Sequence, residues 1–165
     1  MRANREGKGE MTYPDGSVYQ GQYVDDKREG EGKMKFKDGS SYKGQFKDDM
    51  WHGKGTYNWS NGKQYEGDWL KGQIEGEGKL ALPDGQTYVG GFKVIDKTPK
   101  DKKKHRVLLV SEKDGEGLIT WPDGSLYKGN FKGGEKHGLG TFTDADGKEN
   151  ILEYRNGELV KAINQ

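Results

Sequence analysis

Apolar and polar residues alternate over short stretches of the chain, and glycines separate these stretches. After each Gly-x-Gly motif, two alternate positions are apolar, as in Met34/Phe36, and the positions between them are mostly polar, as in Lys33/Lys35. Alternation with a period of two predicts β-strands with one buried face and one solvated face. No segment has the pattern of a long amphipathic helix that could cover the apolar face.

Three motifs recur in phase along the chain. The first is Tyr-x-Gly-x-aromatic, whose first four copies begin 23 residues apart at Tyr19, Tyr42, Tyr65 and Tyr88, while the fifth begins at Tyr127, 39 residues later. Gly-x-Gly and an Asp-Gly or Asn-Gly dipeptide keep the same spacing. A fixed period of 20–50 residues indicates a stacked array of repeats.

These spacings predict a single domain over residues 1–165. Its predicted parts are a partial repeat at 7–18, repeats at 19–41, 42–64, 65–87, 88–126 and 127–149, and a C-terminal cap at 150–165. The repeat at 88–126 contains an insertion at 93–114. The cap departs from the repeat motif, as terminal repeats usually do. Within it, Asn156-Gly157 could close a last hairpin.

Each repeat is predicted to be a strand, a six-residue loop, a second strand and a tight turn at the Asp-Gly or Asn-Gly dipeptide. The expected fold is all-β: an elongated antiparallel meander of stacked hairpins, with about 12 strands, curled into a trough. The predicted lining of the trough is mainly structural and consists of Tyr19, Tyr23, Tyr42, Phe46, Tyr65, Trp69, Tyr88, Phe92, Tyr127 and Phe131. The glycines between these aromatics would let a ring lie across bare backbone.

The combination of Tyr-x-Gly-x-aromatic, six residues, Gly-x-Gly and Asp-Gly resembles the membrane occupation and recognition nexus (MORN) repeat, from about Gly7 to Gly147. The resemblance implies one hairpin per repeat. It also implies a scaffold or targeting role, as in MORN proteins of cilia, radial spokes and the cytoskeleton. A cytoplasmic protein in a cytoskeletal or ciliary assembly is therefore expected.

Composition narrows the function further. Basic and acidic residues nearly cancel, at 28 against 27, so no global field favours nucleic acid, and no nucleic-acid partner is expected. The low mean hydropathy of −1.15 would suggest disorder, but the periodic aromatic residues argue for a fold.

The chain has no cysteine. His52 and His137 share one repeat position, which indicates a structural role. No enzyme, metal or cofactor is predicted.

One segment concentrates positive charge. Residues 93–114 contain eight Lys/Arg and four Asp/Glu, including Lys100, Lys102, Lys103, Lys104 and Arg106. The segment is either a solvated insertion, which costs little free energy, or a loop that docks an acidic partner. A module that binds phosphoinositide or a membrane surface through this loop is the alternative function.

Met50 and Trp51 are predicted to lie in a six-residue loop, at a position where other repeats have Arg28, Ile74 and Lys136. An exposed tryptophan is common at binding hot spots, so Trp51 is expected to contribute to binding rather than folding. The alternative is that its ring folds over the adjacent loop. The predicted function is a non-catalytic scaffold that binds a protein partner through the aromatic trough and loop edge, with self-association also open.

Overall fold

The computed structural model describes residues 4–97 and 109–163, which form thirteen β-strands and, within those ranges, no helix. The strands are β1 (Gly7–Thr12), β2 (Val18–Val24), β3 (Lys27–Lys35), β4 (Ser41–Lys47), β5 (Met50–Asn58), β6 (Gln64–Leu70), β7 (Gln73–Ala81), β8 (Thr87–Asp96), β9 (Leu109–Thr120), β10 (Leu126–Lys132), β11 (Glu135–Thr143), β12 (Glu149–Arg155) and β13 (Glu158–Ile163).

The strands form one sheet in strict chain order from β1 to β13, and the sheet is not closed into a barrel. The predicted all-β antiparallel meander is therefore confirmed. The last hairpin, β12–β13, turns at Asn156-Gly157 as expected. The curl into a trough stays a prediction. The chain divides into two compact units, Met1–Gln73 and Ile74–Gln165, which are described separately below.

The turns at the Asp-Gly dipeptides are longer than predicted. Between β1 and β2, Tyr13 N–H donates to Ser17 O at 2.8 Å, and Gly16 N–H donates to Tyr13 O at 3.0 Å. Gly16 has a φ of 90°. This is a three-residue loop that ends in a left-handed residue, the second common hairpin class. The Asp15 carboxylate accepts hydrogen bonds from the hydroxyl and N–H of Ser17, and these bonds lower the pKa of Asp15.

The predicted six-residue loops are wrong, because strand pairing continues almost to the tip of the hairpin. Phe46 pairs with Trp51 and Lys47 pairs with Met50, so only Asp48 and Asp49 form the turn. Their φ angles are 49° and 68°, and a type I′ turn requires positive φ at both central residues. Equivalent two-residue turns lie at 25–26, 71–72, 133–134 and 156–157.

In four of the five aromatic motifs, those of Tyr19, Tyr42, Tyr88 and Tyr127, the first tyrosine lies across a pair of glycines on adjacent strands. Gly21 of β2 is opposite Gly32 of β3, and a Cβ on Gly32 would stand 2.6 Å from both Cε2 and Oη of Tyr19. Only a bare backbone leaves room for this ring. Gly30, the first glycine of the Gly-x-Gly motif, has a φ of 65° and lies in a β-bulge of β3.

The core is aromatic and close to the backbone. Tyr19 in unit 1 and Tyr127 in unit 2 are both fully buried. Tyr19 Oη donates to Gln22 O at 2.8 Å, and burial raises the pKa of Tyr19 to about 12. Tyr42, Tyr65 and Tyr88 donate in the same way to the carbonyl three residues later. Nine of the ten predicted lining aromatics are buried, and Phe92 is half-buried. Buried rings cannot themselves form a docking surface.

Gly32→Ala should lower the free energy of unfolding by about 2 kcal/mol, because the new methyl group displaces the Tyr19 ring. Gly9→Ala is the matched control, since a Cβ there would meet Tyr23 ring atoms at an ordinary 3.6–3.7 Å. Urea unfolding measures both. Equal midpoints for the two variants would contradict the close packing of the ring on glycine.

Tyr19→Phe should destabilise the protein by about 1 kcal/mol through loss of the hydrogen bond to Gln22 O. Tyr127→Phe should be nearly neutral. Its hydroxyl is buried just as deeply but has no hydrogen-bond partner within residues 4–97 and 109–163. Thermal and urea unfolding of the pair provide the measurement, and a larger loss for Tyr127→Phe would overturn this assignment.

Candidate functional site

One repeat position connects five of the two-residue hairpin turns to the aromatic core. At this position the backbone carbonyl accepts a hydrogen bond of 2.9–3.1 Å from the second residue of the following two-residue turn. The donor and acceptor pairs are Asp26 to Arg5, Asp49 to Arg28, Gly72 to Trp51, Gly134 to Lys113 and Gly157 to Lys136. We call Arg5, Arg28, Trp51, Lys113 and Lys136 the column residues. Because the backbone of each is held by the next turn, its side chain has a defined place on the sheet.

The side chains of the column residues lie over buried aromatic rings. The Arg5 guanidinium is 4.9 Å from the centre of the Tyr23 ring, and the Lys113 ammonium is 5.0 Å from that of Tyr88. Lys136 is 4.5 Å from the centre of the Tyr127 ring. These are cation–π distances. The column residues therefore mark the face of the sheet that carries the rings, which we call the aromatic face.

In unit 1, Trp51 is the centre of an aromatic cluster. Its ring stacks on Tyr42 with centroids 4.9 Å apart and an interplanar angle of 16°, and it meets Trp69 edge-on at 5.2 Å. Above the buried rings lies a half-buried layer: Tyr57 is 5.3 Å from Trp51 and 4.6 Å from Trp59. Phe36, 6.1 Å from Trp51, completes this layer. We call Phe36, Trp51, Tyr57 and Trp59 the outer ring cluster; all four rings are partly exposed.

The structure corrects the prediction that Met50 and Trp51 lie together in a loop. Both are in β5, where consecutive side chains point to opposite faces. Met50 is 42% exposed on the face opposite the rings, whereas Trp51 packs among them. Trp51 therefore contributes to folding, contrary to expectation, although its partly exposed edge still allows the predicted role in binding.

The predicted basic loop is in part an extended hairpin. β8 and β9 continue to pair beyond the common turn position, with Lys93 opposite Glu112 and Asp96 opposite Leu109. Leu109 and Val110 extend the strand that leads to Gly115, one of the two placements considered for this apolar segment. The predicted docking residues Lys100, Lys102, Lys103, Lys104 and Arg106 lie outside the described residues.

The shared histidine position is structural at His137. Its Nδ1 accepts a hydrogen bond from Asn156 N–H at 3.4 Å, just as Glu29 accepts one from Asp48 N–H at 3.0 Å. Within residues 4–97 and 109–163, no three His, Cys, Asp or Glu side chains are grouped closely enough to hold a metal ion. In the same ranges, no helix has the length and apolar character needed to cross a bilayer.

The column residues differ in how their charge is balanced. In unit 1, Arg28 Nε lies 3.0 Å from Asp49 Oδ1, and Arg5 makes the same ion pair with Asp26. In unit 2, the corresponding turn residues are Gly134 and Gly157. Burial lowers the pKa of Lys136, and the positive charge of Lys113 lowers it further.

The repeat spacing of the column residues is visible in the sequence, although the three recurring motifs do not include them. The positions 5, 28 and 51 are 23 residues apart, as are 113 and 136, and the step of 62 from 51 to 113 is one repeat plus the longer step of 39 at the insertion, with Ile74 at the position between. The column residues are arginine, tryptophan or lysine, and Ile74 stands at the skipped position, so no motif reveals them. All three types can pack over an aromatic ring, which is the property the position requires.

Comparison with known proteins gives one family. The model of the MORN repeat matches residues 2–18, 19–41, 42–64, 65–87, 112–126 and 127–149. No curated protein matches the chain.

Two solved structures match the chain at low similarity. The TCP domain of SAS-4 (dCPAP) from Drosophila melanogaster, in complex with a proline-rich motif of Ana2 (dSTIL), is 16% identical. The match covers 100% of this chain and 97% of that one, with a TM-score of 0.43. The wild-type TCP10 domain of CPAP from Danio rerio is 11% identical over 96% of this chain and 90% of that one, with a TM-score of 0.27.

Trp51→Ala should lower the free energy of unfolding by about 2–3 kcal/mol, because it removes a ring in contact with Tyr42 and Trp69. Met50→Ala, one residue away on the opposite face, should change it by less than about 0.5 kcal/mol. Urea unfolding compares the two variants. A neutral Trp51→Ala would contradict a contribution of this ring to folding.

Replacing residues 94–111 with Asp-Asp should give a protein that folds cooperatively. In the shortened hairpin, Lys93 and Glu112 would flank the two-residue turn, as Lys47 and Met50 flank Asp48-Asp49 in the β4–β5 hairpin. The column residue Lys113 stays in place. Circular dichroism and thermal unfolding test this expectation. Loss of folding would show that the inserted segment belongs to the core.

Proposed function

Because the chain belongs to the MORN-repeat family, we propose that it is a non-catalytic scaffold that binds a protein partner across its aromatic face. The outer ring cluster of unit 1 carries this proposal. Its rings form a continuous layer that the sheet supports from below and leaves partly exposed above. Aromatic residues are enriched at the centres of protein interfaces, where they contribute much of the binding energy.

The geometry favours recognition by packing. The rings are held by their neighbours, since Trp51 stacks on the buried Tyr42 and Tyr57 packs against Trp59. Rings that are already ordered lose little conformational entropy when a partner covers them. Lys63, whose ammonium lies 4.6 Å from the centre of the Trp59 ring, adds one positive charge at the edge of the cluster.

The proposed cellular setting is a cytoskeletal or ciliary assembly, and family membership alone supports it. Binding to a phosphoinositide surface is the alternative, and the basic residues that would perform it lie outside the described residues.

Selection of a displayed random peptide library on the full chain tests the function. Enriched peptides should bind the unmodified chain and lose at least about tenfold in affinity to Trp59→Ala, since removing a hot-spot ring typically costs more than 1 kcal/mol. Leu70→Ala removes an apolar side chain that is 41% exposed on the opposite face, and it should bind normally.

Absence of any enriched peptide would contradict the proposed function. If, in addition, the chain co-sediments with phosphoinositide vesicles and the Asp-Asp replacement of residues 94–111 does not, the lipid alternative would take its place. Equal losses for Trp59→Ala and Leu70→Ala would exclude the aromatic face as the binding surface.

A further inference from the structure

The repeats of Arg28 and Lys136 share the hydrogen bond from the next turn but differ in whether that turn supplies a carboxylate. At Arg28, the next turn places Asp49 on the guanidinium: the Asp49 carboxylate accepts from Arg28 N–H at 2.8 Å and from Nε–H at 3.0 Å. At Lys136, the next turn makes the same backbone hydrogen bond, but Gly157 stands where Asp49 would be. The carboxylate that balances the cation in unit 1 is therefore missing from the repeat of Lys136.

The Lys136 ammonium lies among three aromatic rings. Its distances to the ring centres of Tyr127, Tyr154 and Trp121 are 4.5, 4.9 and 5.4 Å. The residue is half-buried, and no carboxylate of the described chain comes within ion-pair distance of it. The rings hold the cation but do not neutralise it, and partial burial reduces its hydration.

The surroundings give this position a preference for negative charge. Burial lowers the pKa of Lys136, and the like charge of Lys113, one repeat earlier in the column, lowers it further. A carboxylate beside Lys136 would offset both effects. The neighbouring side chains on the aromatic face include the apolar rings of Trp121 and Phe142. These two rings lie 6.1 Å apart, and both are partly exposed. A ligand that fits here brings one negative charge together with apolar groups.

We propose that Lys136 binds the side-chain carboxylate of an Asp or Glu in an extended segment of a protein partner, while the adjacent apolar side chains of that segment cover Trp121, Phe142 and Tyr154. The partner supplies in trans the carboxylate that Asp49 supplies to Arg28 within the chain. A lone hydrated anion has no apolar groups to bury, which is why the surface fits a peptide better. The inference rests on the proposed function, because it names the chemistry of the partner.

Two displayed 12-residue peptide libraries test the proposal, one with a central Glu and one with a central Gln, both selected on the full chain. Peptides from the Glu library should bind about tenfold more tightly than their own Glu→Gln counterparts in fluorescence anisotropy. Lys136→Met should remove this difference. Lys128→Met, in the same unit but on the opposite face, should preserve it.

A second pair of variants leaves Lys136 intact. Gly157→Asp places a carboxylate at the turn position of Asp49 and Asp26, whose φ angles of 68° and 67° show that aspartate adopts this left-handed conformation. The carboxyl group of Glu135, whose carbon lies 3.1 Å from the new Cβ, has to shift. The internal carboxylate should compete with the peptide and abolish the Glu preference. Gly157→Asn has the same shape without the charge and should keep the preference.

The outcomes separate the two proposals. If neither library yields binders, the proposed function fails. If binders appear but Glu and Gln peptides bind equally, or Lys136→Met and Gly157→Asp leave the preference unchanged, the function stands and the inference is overturned. Binding of acidic lipid vesicles that Lys136→Met abolishes, without any preference among peptides, would also overturn it by identifying a lipid surface as the occupant.

Discussion

The contact between a tyrosine ring and a pair of bare glycines is the constraint on which the structure depends. Tyr19 lies across Gly21 and Gly32, and its hydroxyl reaches the carbonyl of Gln22. The ring shields peptide groups that glycine leaves exposed, and it offsets the entropy that glycine loses on folding. Because the ring spans the two strands of one hairpin, it holds each repeat together, and its edge-on contact with Phe46 joins that repeat to the next. The periodic sequence therefore folds with a low overall hydrophobic content.

The hydrogen bond from each turn to a column carbonyl is the second inter-repeat link. It joins a hairpin tip to the strand of the preceding hairpin, as between Asp49 and Arg28. The link also sets the position of a side chain over the core. This coupling explains how a repeat scaffold can present different chemistry without changing its backbone: Trp51 extends an aromatic surface, whereas Arg28 closes an internal ion pair.

The two units use the column differently. In unit 1 the arginines are neutralised by aspartates of the turns, and the exposed part of the face is dominated by rings. In unit 2, the Lys136 side-chain nitrogen lies among Tyr127, Tyr154 and Trp121, and the following turn has glycine in place of aspartate. The same repeat backbone thus presents a layer of rings in unit 1 and a lysine without a turn carboxylate in unit 2.

The sequence by itself determined the repeats, the alternation of strand faces and the burial of the motif tyrosines, because these follow from a period of two and a period of 23. It also indicated a structural role for His137. It misassigned the turns. Asp48-Asp49 has no glycine and suggests a loop, yet both residues take positive φ because Glu29 and Arg28 hold their amides.

The tertiary structure alone decided the site. Only strand register shows that Trp51 and Met50 lie on opposite faces, and only the packing shows which ring each column residue covers. The missing carboxylate at Lys136 is a relation between residues 21 positions apart in sequence, Lys136 and Gly157. No local pattern encodes it, because the hydrogen bond that brings these two residues together forms only when neighbouring repeats stack.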